Sequence, residues 1–78
     1  MITCTVTSLV ATEEYPALQC VTLPGTEGVF QVYPGHAEAF FALQEGNIQL
    51  RHEDGTEQKI SANGGECYIN HDHVIVVL

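Results

Sequence analysis

Hydrophobic and polar residues alternate with a period of two at Ile2–Leu9 and Ile48–Arg51, and nowhere show a helical period over two turns. Ile2-Thr3-Cys4-Thr5-Val6-Thr7 sets the pattern. β-Branched residues predict a half-buried strand with Ile2, Cys4 and Val6 inward and the threonines outward. Ala11–Pro16 reads as a loop or short edge strand. Strand-like runs follow at Ala17–Leu23, Val29–Tyr33, Ala39–Leu43, Ile48–Arg51, Lys59–Ala62 and Cys67–Ile69. The last run, Val74-Ile75-Val76-Val77-Leu78, has no polar alternate and predicts burial on both faces.

Turn chemistry separates these runs. Pro24-Gly25 and Pro34-Gly35 each place a fixed φ before a residue that accepts positive φ, which predicts two tight reversals. Glu45-Gly46-Asn47 and Asn63-Gly64-Gly65 predict two more. Asp54-Gly55 is the clearest hairpin signal, because a two-residue hairpin turn needs positive φ. Short strands with regularly spaced turns argue for an all-β sandwich or barrel, read here as one domain over residues 1–78.

The acid–base balance narrows the partners. Ten acidic side chains face only Arg51 and Lys59, a net charge of −8. Nucleic acid and anionic membrane surfaces both select for lysine and arginine, so neither is an expected partner. A basic protein surface fits better than either, and the simpler reading is that like charge keeps the chain in solution. Cys4, Cys20 and Cys67 are odd in number with no C-x-x-C spacing, so each is expected to fill a strand position as a small hydrophobe. Neither a spanning apolar stretch nor a basic, apolar leader pattern is present, which gives an expectation of a cytoplasmic chain.

The stretch V-T-L-P-G-T-E-G-V-F-Q-V-Y-P-G-H-A, Val21–Ala37, resembles the N-terminal β-sandwich domain of the ε subunit of F-type ATP synthases. Asn63-Gly64-Gly65 with Glu66–Leu78 resembles that domain's closing turn and hairpin. The first twenty residues match less well. The resemblance implies a flattened sandwich or barrel of about ten short, mostly antiparallel strands. It also implies a non-catalytic rotor subunit of the central stalk that links the γ subunit to the c-ring and couples proton or sodium flow to ATP synthesis. Such a subunit is peripheral, at the cytoplasmic face of the bacterial inner membrane, and meets the membrane only through its complex.

By the same resemblance, Thr26, Glu27, Gly28, Val29, Phe30 and Gln31 face the c-ring, and Ser8, His36 and Phe41 face γ. Pro24, Gly25, Pro34, Gly35, Gly64 and Gly65 are turn residues. Of Phe40 and Phe41, adjacent on a strand, one is expected in the core and the other at an interface. Val29 stands where many members have an acid, Gln31 where a glycine is common, and Glu38 where a proline is usual. The sequence stops at Leu78, before the helical hairpin of longer members, as either a natural short ε form or a truncated piece of a longer one would, and the hairpin's inhibitory and ATP-binding roles are not carried over to it.

The residues themselves offer little other chemistry. His36, His52, His71 and His73 lack the spacing of a closed tetrahedral zinc set, and the His71-Asp72-His73 segment reads as a solvated turn. No nucleophile elbow or phosphate-cradling loop is present, and Glu13-Glu14 and Glu53-Asp54 lie in loops. Neither cofactor nor catalytic residue is expected. The competing reading is a stand-alone acidic β-sandwich that binds a small ligand or metal.

Overall fold

Six strands and no helix are built from these runs: β1 (Ile2–Thr7), β2 (Thr12–Gly25), β3 (Gly28–Val32), β4 (Ala39–His52), β5 (Glu57–Asn70) and β6 (His73–Val77). The computed structural model describes all residues, 1–78. Strand order is β1-β6-β5-β4-β2-β3, and β1 also pairs with β2. That last pairing closes β1, β6, β5, β4 and β2 into a barrel and leaves β3 as an added strand on β2. All pairings are antiparallel except β1 with β6.

The count is six rather than ten because several expected turns lie inside strands. β4 and β5 are each 14 residues long and pair in one continuous register, from Ala39↔Ile69 to Arg51↔Glu57. Glu45-Gly46-Asn47 and Asn63-Gly64-Gly65 are therefore not reversals. They lie opposite each other, Glu45↔Asn63 and Gly46↔Ala62, at the point where the inward face changes parity. In β4, Leu43 points inward before this level, and Ile48 and Leu50 do so after it. In β5, Ala62 precedes it and Cys67 and Ile69 follow. One hairpin thus bends through a corner and lines the core at both ends. Gly64 and Gly65 absorb the bend with φ of 105° and 122°, values that L side chains rarely adopt.

β2 shows the same effect. Pro24 and Gly25 are not a reversal but the buried end of this strand, paired with Val29 and Gly28 of β3. The pairing of β2 with β4 shifts register between Thr22 and Gly25, so Pro24 sits where no ladder N–H is required. Ala11–Pro16 is mostly strand, with Thr12–Pro16 in β2, and Ala17 takes a φ of 60° beside a second register shift. Three turn readings hold: Pro34-Gly35 breaks the chain between β3 and β4, Asp54-Gly55 joins β4 to β5, and His71-Asp72 joins β5 to β6. The last has positive φ at both central residues, as a tight hairpin turn requires.

The core is one cluster of 15 buried residues, to which every strand contributes. No polar or charged residue is buried, and every buried side-chain nitrogen or oxygen has a partner. Ile2, Cys4 and Val6 face inward as the alternation predicts, and all three cysteines are buried free thiols. β6 departs from expectation. Val74 and Val76 are buried, but Ile75 is only half-buried and Val77 is exposed, so one face of this strand is open.

Candidate protein-interaction site

The β2–β3 hairpin ends in a two-residue turn, Thr26-Glu27, between the paired residues Gly25 and Gly28. Neither turn residue has positive φ; Gly28, at 128°, completes the reversal. The Thr26 N–H donates to the Ala42 carbonyl at 3.0 Å, which ties the tip to β4. Beyond it, Val29 and Gln31 point to solvent, while Phe30 turns inward and stacks on Phe41 with ring centroids 4.1 Å apart. A Cβ on Gly25 would lie 2.9 Å from two Phe30 ring atoms, so glycine is what allows that ring to lie on the backbone. Between the tip and β4 is a pocket of about 370 Å³, lined by Gly25–Phe30 and Phe40–Ala42. Glu27 is its one charged lining residue.

Phe41 packs against the core, and the outward member of the pair is Phe40, 55% exposed. Phe41, expected at the γ face, is thus the inward member of a pair whose orientation alternation left open, because β4 turns the half-buried Ala39 and Phe41 and the buried Leu43 toward the core as one alternating set on this side of the corner. Phe40 lies across from Tyr68 of β5, with ring centroids at 4.9 Å, and Tyr68 lies across from Ile75 of β6. Phe40, Tyr68 and Ile75 thus form an unbroken apolar row over the outside of three adjacent strands. Val77, opposite Glu66, extends it on β6. Desolvation, followed by the charge and hydrogen bond of Glu66, pushes the Tyr68 phenol up.

His36 follows the Pro34-Gly35 turn, and its N–H donates to the Tyr33 carbonyl at 3.3 Å. The Asp72 carboxylate accepts from the Gly35 N–H at 2.7 Å and fastens this turn to the β5–β6 turn. The His36 ring meets Phe41 edge-on, with centroids 6.5 Å apart. The structure therefore brings together His36, Phe41, Phe30 and the tip loop. Ser8 is elsewhere, in the β1–β2 turn, where its hydroxyl accepts from the Val10 N–H. The Thr3 N–H donates to the Asp72 carbonyl, so the far end of β1 is the one beside His36. Five residue steps separate Thr3 from Ser8, about 17 Å of extended chain.

Sequence reasoning missed Tyr68. Alternation alone places Tyr68 outward between Cys67 and Ile69, but only the β4–β5 and β5–β6 registers set it between Phe40 and Ile75. The histidines do not assemble: His73 Nε2 is 2.8 Å from the Thr5 hydroxyl, His52 Nε2 is 3.1 Å from the Gln58 side-chain oxygen, and no three His, Cys, Asp or Glu side chains converge on a point.

Residues 2–78 match the family model described as the ATP synthase, Delta/Epsilon chain, beta-sandwich domain. Among curated proteins, the mitochondrial ATP synthase F(1) complex subunit delta of Dictyostelium discoideum is 41% identical over 54 residues, 69% of this chain and 32% of that protein. The ATP synthase epsilon chain of Campylobacter fetus is 38% identical over 58 residues, 74% of this chain and 45% of that one. The chain thus spans between a third and a half of the length of these relatives. A chain in the cryo-EM structure of the Euglena gracilis mitochondrial ATP synthase, OSCP/F1/c-ring, superposes with a TM-score of 0.86 at 22% identity. That match covers 97% of this chain and 49% of the other, and it is a likeness of fold. From the match over residues 2–78 together with the closed barrel, the chain belongs to the delta/epsilon chain β-sandwich family of the ATP synthases.

Proposed function

We propose that this chain is a non-catalytic rotor subunit of the central stalk of an F-type ATP synthase, which holds the γ subunit to the c-ring. The observation that carries the reading is the Phe40–Tyr68–Ile75 row, an exposed apolar face on a chain of net charge −8, running up to the tip loop. Contiguous apolar surface of this kind serves as a partner site, and aromatic residues carry much of the binding energy at such sites. In this reading γ covers the row, with His36 at one end and Ser8 at the other. The tip, Thr26–Gln31, meets the c-ring through backbone groups and the apolar Val29. The chain then transmits torque without chemistry of its own. It sits peripherally at the coupling membrane, in a bacterium at the cytoplasmic face of the inner membrane, and touches the membrane only through its complex.

Co-purification with γ tests this reading. Phe40→Glu replaces an exposed ring and is expected to leave the fold intact while weakening γ binding by about 2 kcal/mol, roughly thirtyfold. Phe41→Glu puts a charge against the core and is expected to lower the melting temperature first. A folded Phe40→Glu chain that binds γ as tightly as the parent would remove the row from the interface.

A further inference from the structure

We propose that Asp72 is a positioning residue: its carboxylate latches the connection between β3 and β4 to the β5–β6 turn, so that His36 is held in one orientation before a partner arrives. The latch stands on geometry alone. Its consequence for binding rests on the rotor reading, in which His36 lies in the γ contact.

The connection has little else to hold it. Residues 33–38 belong to no strand, and Pro34, Gly35, Ala37 and Glu38 are exposed. The His36 N–H donates to the Tyr33 carbonyl, and His36 Nδ1 lies 2.7 Å from the Ala37 carbonyl oxygen, both within the connection itself. From Pro34 to Glu38, one hydrogen bond reaches another segment, and it runs from the Gly35 N–H to Asp72 Oδ1 at 2.7 Å. A hydrogen bond to an ionised carboxylate is about twice as strong as one to a neutral acceptor. No cation competes for this carboxylate, since the one salt bridge of the chain joins Arg51 to Glu57. The His36 ring rests edge-on against the half-buried Phe41, so fixing Gly35 sets the ring against a wall.

Asp72 also ties down a third segment. Its carbonyl accepts from the Thr3 N–H at 3.1 Å, so one residue joins the start of β1, the β5–β6 turn and the His36 connection. With φ of 49° at His71 and 59° at Asp72, the turn is of the type that favours glycine at its second position. Aspartate tolerates this backbone at a cost that glycine avoids. The side chain that glycine would lack is aimed at a backbone N–H outside the hairpin.

Three chains decide the matter: the parent, Asp72→Gly and Asp72→Asn. Glycine suits the positive φ and keeps the Thr3 bond, which the backbone makes, and removes only the side chain. Asparagine keeps an oxygen acceptor without the charge. Amide hydrogen exchange at Gly35 and the NMR shifts of the His36 ring, measured on the 78-residue chain alone, read the latch. In Asp72→Gly the Gly35 amide is expected to exchange roughly tenfold faster, the equivalent of one such bond, while the melting temperature changes little. The His36 ring signals should move toward those of a free histidine, and Asp72→Asn should restore most of the parent's behaviour.

Affinity for γ reads the consequence. Asp72→Gly should bind up to about tenfold more weakly, because a partner must select the ordered connection from a looser set, and Asp72→Asn should bind nearly as the parent does. A residue that merely supports the fold would alter γ binding only in step with the melting temperature. The Thr3 amide, bonded to the same residue's carbonyl, is the internal control. A Gly35 amide whose exchange rises no more than that of Thr3, or an Asp72→Asn chain as loose as Asp72→Gly, would overturn the latch, whatever the melting temperatures. Asp72→Gly binding γ as tightly as a parent that binds it would overturn the positioning role. A loosened Gly35 in Asp72→Gly beside a parent that never binds γ keeps the latch and loses the rotor reading; a parent that binds γ with a Gly35 amide indifferent to Asp72 does the reverse.

Discussion

Replacing Gly65 by alanine tests the corner in β5, and the expected cost is set by two contributions. The first is conformational: φ is 122° at Gly65, and forcing an L residue to positive φ costs about 1–2 kcal/mol. The second is steric. A Cβ at Gly65 would overlap the Val77 carbonyl oxygen and lie 3.2 Å from the Val77 carbonyl carbon and 3.3 Å from Leu78 Cα. These are backbone atoms held on both sides, since Val77 pairs with Glu66 and the Leu78 N–H donates to the Thr7 carbonyl at 2.8 Å. They cannot swing away as a side chain would, and an overlap of this kind costs about 1–3 kcal/mol more.

Gly64→Ala is the internal control. Its φ of 105° imposes the same kind of conformational cost, but the nearest atom to a Cβ there is the Leu43 carbonyl oxygen at 3.6 Å, an ordinary contact. Gly65→Ala should therefore cost about 2–5 kcal/mol and Gly64→Ala about 1–2 kcal/mol. A chain of this size has roughly 4–12 kcal/mol of stability in all, so the two variants should separate clearly in urea denaturation at 25 °C. If residues 63–65 were instead a solvent-facing turn, both substitutions would cost the same. Midpoints of the two variants agreeing within about 0.5 kcal/mol would refute the corner and the β5–β6 packing behind it.

Burial pushes the Cys4 thiol up to about 12, with Cys67 adding to the effect, and pushes Cys67 likewise up to about 12, from an ordinary value of 9.0. The folded chain then holds these protons where the unfolded chain has released them, so stability is full below pH 9 and lost as pH rises toward 12. The slope should reach about 1.4 kcal/mol per pH unit per thiol, and an alkaline stability profile left unchanged by Cys4→Ala with Cys67→Ala would contradict it. Ala17 is exposed at a φ of 60°, so Ala17→Gly should be neutral or stabilising by up to about 1 kcal/mol, where the same change inside an ordinary strand costs about 0.5–1 kcal/mol. A melting temperature lowered by several degrees would refute that backbone assignment.

The sequence by itself determined the fold class, the inward set of β1 and the burial of the cysteines. Each of these depends on local alternation, in which Ile2, Cys4 and Val6 share a face whatever their partners are. It also determined the turns at Pro34-Gly35 and Asp54-Gly55, where the breakers end the pairing on both sides. The motif from Val21 to Ala37 made the family legible before any coordinates.

Strand number and surface assignment needed the tertiary structure. A glycine reports that the backbone can take positive φ, not whether the chain reverses there or turns a corner and continues. At Gly64-Gly65 it continues, because β4 already lies alongside to receive the next residues, whereas at Pro24-Gly25 the strand runs to its end and reverses only at Thr26-Glu27. The closure of the barrel joins β1 to β6, Thr3 to His73, a contact that no local pattern can announce. The choice between Phe40 and Phe41 followed from that geometry. Alternation makes the two rings opposite, but which of them meets the core is fixed by the change of parity near Gly46, and that change exists only because one pair of long strands must line the core at both its ends.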